Sequence, residues 1–311
     1  MQTPFDRHEW PLAGSTSYYA LLNCSDTAVG NAWATLELIA TVSEALANVS
    51  EPTVAEQKVH WWHEELARLA KGEARHPRCQ TFQNHMVATF GSIRPVGKWI
   101  PDLLAVLSCN ANERFSNAGT ETQFKQRIDD DYSARLRLLA RAIQAPDSMN
   151  AEDSVLPQQL ISNDLVMGLG LFDRLRRFHN LQAGGSMVWP DIWYTEHDLQ
   201  PENLYEKGKT TQLMKLFSSA NRAASAALES GLSDVWQLQQ GTSATLPQAS
   251  AVIIIAATLR MNQLKMWHRN QPDLLRQYQS LTPFRKSLVT WRTQRKLVQL
   301  QKQLEKQEKH A

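Results

Sequence analysis

Apolar residues recur along this chain at three- and four-residue steps, and strict alternation is nearly absent, so the elements it predicts are helices. After Ser25 or Asp26, either of which can cap, Trp33, Leu36, Ile39, Ala40 and Leu46 predict a long helix with Val49 near its end. Ser50 and Pro52 open the next, which carries Val59, Trp62, Leu66 and Leu69 and stops at Gly72. Further helices are predicted from about Arg78 to Phe90, Gly97 to Leu107, Thr120 to Ile143, Leu156 to Phe178, Lys207 to Ser230, Leu246 to Arg269, and Pro283 onward. Between Leu181 and Pro201 the period fails. Ala183-Gly184-Gly185-Ser186 and Pro190 are turn chemistry there, with Trp189, Trp193 and Tyr194 clustered beside them. No repeat is present, and the most linker-like stretch, Gln144 to Ser154, is short. The expectation is one all-α domain.

Composition sharpens that picture. The chain has 311 residues, 42% of them apolar and 21% charged, enough to bury a large core. Its thirteen glycines, about 4% against a usual level of roughly 7%, leave few turns and favour long helices. Cys24, Cys79 and Cys109 are odd in number and contain no Cys-x-x-Cys pair, which argues against a disulfide framework or zinc site and for a reducing compartment. Met1 to Trp10 holds Asp6, Arg7, His8 and Glu9 and does not read as a secretory signal. The longest apolar run, Ala251 to Leu259, is half of what a bilayer crossing needs. The expected location is therefore cytoplasmic. A net charge of +2 gives no sign of a nucleic-acid partner, but its distribution is uneven. Residues 285–311 hold eight Lys/Arg and two Glu, a local +6, which leaves −4 on residues 1–284.

Three stretches carry a resemblance. Ser15-Thr16-Ser17-Tyr18-Tyr19 is a serine-rich segment with aromatics. Lys58-Val59-His60-Trp61-Trp62-His63-Glu64-Glu65-Leu66 is followed by Gly72-Glu73 and His76-Pro77. Val188-Trp189-Pro190 closes the irregular region. In this order they resemble the squalene/phytoene synthase family, over roughly Ser15 to Arg295. The resemblance implies a single-domain, isoprenoid-synthase-like helical bundle around a central cavity. Active members condense two prenyl diphosphates head to head, using two aspartate-rich helical segments to hold Mg²⁺, since carboxylates at i and i+4 share a helix face.

By the same resemblance, the first acidic segment falls on Ser43-Glu44-Ala45-Leu46-Ala47-Asn48, which keeps one acid. The second belongs just before Pro190, yet Arg174 to Trp189 contains no Asp or Glu and reads Arg174-Leu175-Arg176-Arg177-Phe178-His179-Asn180-Leu181. Arginines in place of carboxylates repel a metal. The pattern is similar to the family's non-catalytic branch, which includes a mitochondrial factor for assembly of respiratory complex I. Tyr18, Tyr19, Ser43, Glu44, Asn48, Arg176, Arg177 and Asn180 are the implied ligand-binding cavity residues. No catalytic or metal-ligating residue is assigned, and no cofactor is expected. The expected function is a non-catalytic binding or assembly factor with an isoprenoid- or lipid-type ligand or a protein partner. The alternative is an active head-to-head prenyl transferase that uses Mg²⁺.

Other features have plainer readings. Adjacent Trp61 and Trp62 point about 100° apart, so at most one faces inward. His60 and His63 lack a third ligand. Asp129-Asp130-Asp131 reads as a solvated face, with Asp131 paired to Arg135 one turn on. Asp198, Glu202 and Glu206 read as helix-start acids. Arg174, Arg176, Arg177 and His179 either bind an anion directly or, for Arg174 and Arg177, pair with surface acids. In residues 285–311, Leu288, Trp291, Leu297, Leu300 and Leu304 can line one side of a basic helix. That helix docks on an anionic membrane surface, at the inner face, or on a partner, or else it packs on the bundle. The domain reading is a segment at 1–14, the helical domain at 15–284 and the basic tail at 285–311.

Overall fold

The computed structural model describes residues 14–46, 49, 51–115, 119–144, 162–177, 189–200, 208–241, 247–270 and 279–308. Eleven α-helices form within them: α1 Thr16–Leu21, α2 Asp26–Glu44, α3 Pro52–Lys71, α4 Pro77–Phe90, α5 Ile100–Phe115, α6 Glu121–Gln144, α7 Asn163–Arg177, α8 Asp191–Glu196, α9 Thr210–Gly241, α10 Gln248–Arg269 and α11 Pro283–Glu308. A 3₁₀ turn, Arg94–Trp99, leads into α5, and no strand occurs among the described residues.

Helix ends follow local chemistry. The Ser25 side chain caps α2 by accepting from the Ala28 N–H, and Ser15 does the same for α1 through Tyr18. At α3 the N-cap is Glu51, without a side-chain hydrogen bond, and Gly72 ends the helix in the left-handed region at φ 81°. The short helices α1 and α8 go beyond the periodic reading. α9 also runs to Gly241, past the stop expected near Ser230.

Helices α1, α2, α6, α7, α9 and α10 share one large apolar core that includes Trp33, Tyr132, Phe172, Phe217 and Trp267. A second core joins α2 to α3, α4 and α5 through Leu38, Trp62, Leu66, Phe82, Met86 and Leu103. Between α5 and α6 the buried Asp102 receives Arg137, at 2.7 Å, and Arg141. α7 and α9 make the most extensive helix–helix contact, and glycines let them pack closely. A Cβ on Gly231 would lie 2.4 Å from the Leu165 backbone N, and one on Gly168 would lie 2.6 Å from Leu228 Cγ. The aromatic cluster expected beside Pro190 forms, with Trp189 stacked on Trp193 at 5.5 Å and Phe124 against both.

α11 packs on α1, α9 and α10. Its buried seam is Lys286, Thr290, Thr293 and Leu297, whereas Trp291 is 54% exposed. The stripe expected from Leu288 through Leu304 is therefore corrected at Trp291, which stands about 120° round the helix from Leu297. Lys286 Nζ donates to the Gly14 carbonyl at 2.6 Å and sits 5.9 Å from the Tyr19 ring centre, tying α11 to the start of α1. Burial pushes its ammonium below the usual lysine value.

The cysteines are free. Burial raises Cys24 to about 11, and Cys79 and Cys109 to about 12, with Asp131 and Asp130 adding to the effect at Cys109. Near neutral pH almost no thiolate exists, so iodoacetamide should label none of the three in the native protein and all three in denaturant. Rapid labelling of the native fold at pH 7.5 would contradict this environment.

Candidate functional site

A partly enclosed chamber of about 120 Å³ lies between α1, α2, α6, α7 and α10. Its wall is mostly apolar, with Leu21, Leu36, Ile39, Leu136, Leu169 and Ile253, and its polar lining is Ser17, Tyr132, Arg135, Asp173 and Arg260. These polar groups are connected. The Tyr132 hydroxyl donates to the Asp173 carboxylate. Arg260 approaches Asp173 to 4.0 Å, its guanidinium 5.5 Å from the Phe172 ring centre, and Arg176 reaches Asp173 at 3.7 Å from the rim. Arg135 donates from Nε to Asp131 at 2.7 Å and from Nη2 to Ser43 Oγ at 2.8 Å. Burial alone would lower the guanidinium's pKa, but Asp131, Tyr132 and Asp173 raise it overall.

Several sequence expectations change here. Asp131 does pair with Arg135, but the pair is not a solvated face: Asp131 is buried and the Arg135 side chain is 16% exposed. Arg174 points inward, 5% exposed, to pair with Glu113 of α5 at 2.9 Å and lie over the Phe124 ring. Of the residues put forward for the cavity, Ser43 reaches its edge through Arg135, and Arg176 reaches it through Asp173. Tyr19 is buried in the core of α1, with Tyr18 packed edge-on beside it at 5.2 Å. Glu44 is exposed and lines an outer cleft with Glu37, Lys58, Trp61 and Arg78. Arg177 closes α7, and its side chain, Asn48 and Asn180 lie outside the described residues. Asp198 holds Lys209 at 3.0 Å on the surface, while Glu202 and Glu206 also lie outside the described residues.

Tyr132, Asp173 and Arg260 were missed by sequence reasoning. Asp173 stands one residue before the acid-free stretch Arg174 to Trp189. Arg260 directly follows the apolar run Ala251–Leu259 of α10, where a lone cation signals a buried polar contact.

The tryptophan-pair segment is a structural lock. Trp62 is buried, 4.9 Å from the His76 ring, and Trp61 is 40% exposed, so one of the two faces inward as expected. Glu65 has no exposed surface. Its Oε1 accepts from the Arg75 and His76 N–H groups at 2.7 Å each, and its Oε2 accepts from Arg68 Nε at 3.0 Å. Burial pushes this carboxyl up, but the two backbone donors and Arg68 outweigh it and hold the pKa below the usual glutamate value. His76 caps α4 by accepting from the Arg78 N–H. His60 is a surface residue 3.3 Å from Glu64. Among the described residues, no three His, Cys, Asp or Glu side chains gather as a metal set.

A Mg²⁺–diphosphate group is the natural comparison for a cavity of this kind, and the residues present do not fit it. Among the described residues the chamber wall offers one carboxylate, Asp173, already engaged by Tyr132 and faced by arginines. A magnesium cluster needs several oxygen ligands and repels guanidinium neighbours.

No protein-family model matches the chain, and no curated protein sequence does. Solved structures do. A dehydrosqualene synthase crystallised in complex with ligand superposes with a TM-score of 0.64 at 14% identity, covering 91% of this chain and 92% of that one. The squalene synthase HpnC from Alicyclobacillus acidocaldarius superposes with a TM-score of 0.55 at 13% identity, covering 81% and 88%. At such identities the likeness speaks for the fold alone. Together with the helix order and central chamber, it establishes that this chain is a single-domain, all-α protein with the squalene/phytoene synthase-like fold.

Proposed function

We propose that this protein is a non-catalytic member of the squalene synthase-like fold group, acting as a binding or assembly factor and not condensing prenyl diphosphates. One observation carries the reading: among the described residues the chamber's charged groups are two arginines and a single carboxylate that is already hydrogen-bonded, where prenyl transfer demands a carboxylate cage. Volume supports it. About 120 Å³ falls short of the roughly 300 Å³ at which ligand pockets begin, and head-to-head condensation needs two chains side by side. In this reading Arg260 and Arg135 offer the head group of an isoprenoid or lipid a direct, metal-free anion contact, and the helices part to admit its chain. The sequence resemblance adds assembly of a respiratory complex as the partner role.

The purified chain, given farnesyl or geranylgeranyl diphosphate with Mg²⁺, should release no inorganic diphosphate above background and form no C30 or C40 hydrocarbon. Release at an ordinary turnover, on the order of 1 s⁻¹, would overturn the proposal in favour of prenyl transfer.

A further inference from the structure

Three of the eight large apolar side chains exposed among the described residues stand on α11 at seven-residue intervals. Phe284, Trp291 and Val298 are 78%, 54% and 50% exposed. Seven residues is close to two turns, so they form one outward stripe about 21 Å long. The opposite face of the helix is its buried seam, which holds α11 flat against α1, α9 and α10. The charges beside the stripe have one sign. Arg285, Arg292, Arg295 and Lys302 are exposed, and from Pro283 to Leu304 there is no acidic residue. At 100° per residue the four cations fall on one flank of the stripe. The Arg295 guanidinium lies 5.5 Å from the Trp291 ring centre, which keeps a positive charge beside the central aromatic. Lys296, further round the helix, lines a cleft on the other side with Glu229 and Trp236.

We infer that this face of α11 docks the protein on an anionic lipid surface, with Phe284, Trp291 and Val298 entering the headgroup layer and the flanking cations meeting lipid phosphates. A narrow stripe with a tryptophan at its centre and a continuous row of cations matches the layered chemistry of a bilayer surface, apolar below and anionic above. Among the described residues no helix is long and apolar enough to cross a membrane. The inference is independent of what the chamber holds.

Flotation of the full chain with vesicles tests it. The protein should rise with phosphatidylcholine vesicles containing roughly 30% phosphatidylglycerol, not with phosphatidylcholine alone, and should dissociate between about 0.1 M and about 0.5 M salt. Phe284→Ser with Trp291→Ser, and separately Arg285→Gln with Arg292→Gln and Arg295→Gln, should each weaken binding at least about fivefold. Because all five side chains are exposed, the thermal melt should stay in place. Absence of flotation, equal binding to neutral vesicles, or full binding by both variants would overturn the inference. So would a Phe284/Trp291 variant that turns a dimer into a monomer while floating normally, since the stripe would then be a protein interface.

Discussion

Gly231→Ala should destabilise the protein by about 3 kcal/mol, although alanine is the better helix former by about 1 kcal/mol. The new Cβ would meet the Leu165 backbone, at 2.4 Å from its N and 2.6 Å from its Cα, not the yielding tip of a side chain. Either α7 or α9 must move, and these two helices make the most extensive contact in the fold. The contact is reciprocal, since Gly168 of α7 faces Leu228 of α9 while Gly231 of α9 faces Leu165 of α7. Gly168→Ala should therefore behave similarly. Gly97 is the control: a Cβ there meets nothing within 4 Å, so Gly97→Ala should stay within about 1 kcal/mol of the parent. Urea unfolding midpoints measure all three. A Gly231→Ala protein as stable as its parent would mean that α7 and α9 do not pack as described.

Glu65→Gln should cost about 3 kcal/mol as well, by a different route. The fold stays close-packed, but the charge that Arg68 and two backbone N–H groups surround is gone, and an amide NH₂ is turned toward at least one of those donors. The consequence for pH follows from the direction of the shift. In the unfolded chain Glu65 titrates in the ordinary glutamate range, roughly 4.3, and in the folded protein it titrates lower. Its stabilisation is therefore complete above the unfolded value and is lost as pH falls through the folded one. The parent should lose stability across that acid window, and Glu65→Gln should show a flatter profile there with a lower plateau at neutral pH. Chemical denaturation from pH 3 to pH 7 would show it. A variant with the parent's plateau would remove Glu65 from the α3–α4 turn.

Helix period was the strongest signal in the chain, and it placed most long elements to within a few residues. It failed where physics gives it little to work with. α1 and α8 are six residues each, fewer than two turns, so no apolar spacing can repeat in them. At α9, Gly231 reads as a place to stop, yet its missing side chain serves contact with α7, and the helix continues ten residues beyond it. The chamber was less legible. Spacing paired Asp131 with Arg135 but not their depth, because burial depends on which helix covers α6. Ser43 and Glu44 are neighbours in sequence but about 100° apart on α2, so one meets Arg135 and the other meets solvent. Arg260 comes to Asp173 from the far end of the sequence, through a contact no local pattern encodes.

The Lys286 ammonium, held between the Gly14 carbonyl and the Tyr19 ring, sets an order on biosynthesis. Residues 14 and 286 are 272 positions apart, so α1 cannot gain its outer neighbour until nearly the whole described chain has left the ribosome. At translation rates of roughly 5–20 residues per second, the N-terminal helix waits for tens of seconds with the surface meant for α11 uncovered. During that interval the nascent chain is a natural client for holding chaperones. A stop codon placed before α11 would leave that surface exposed for good.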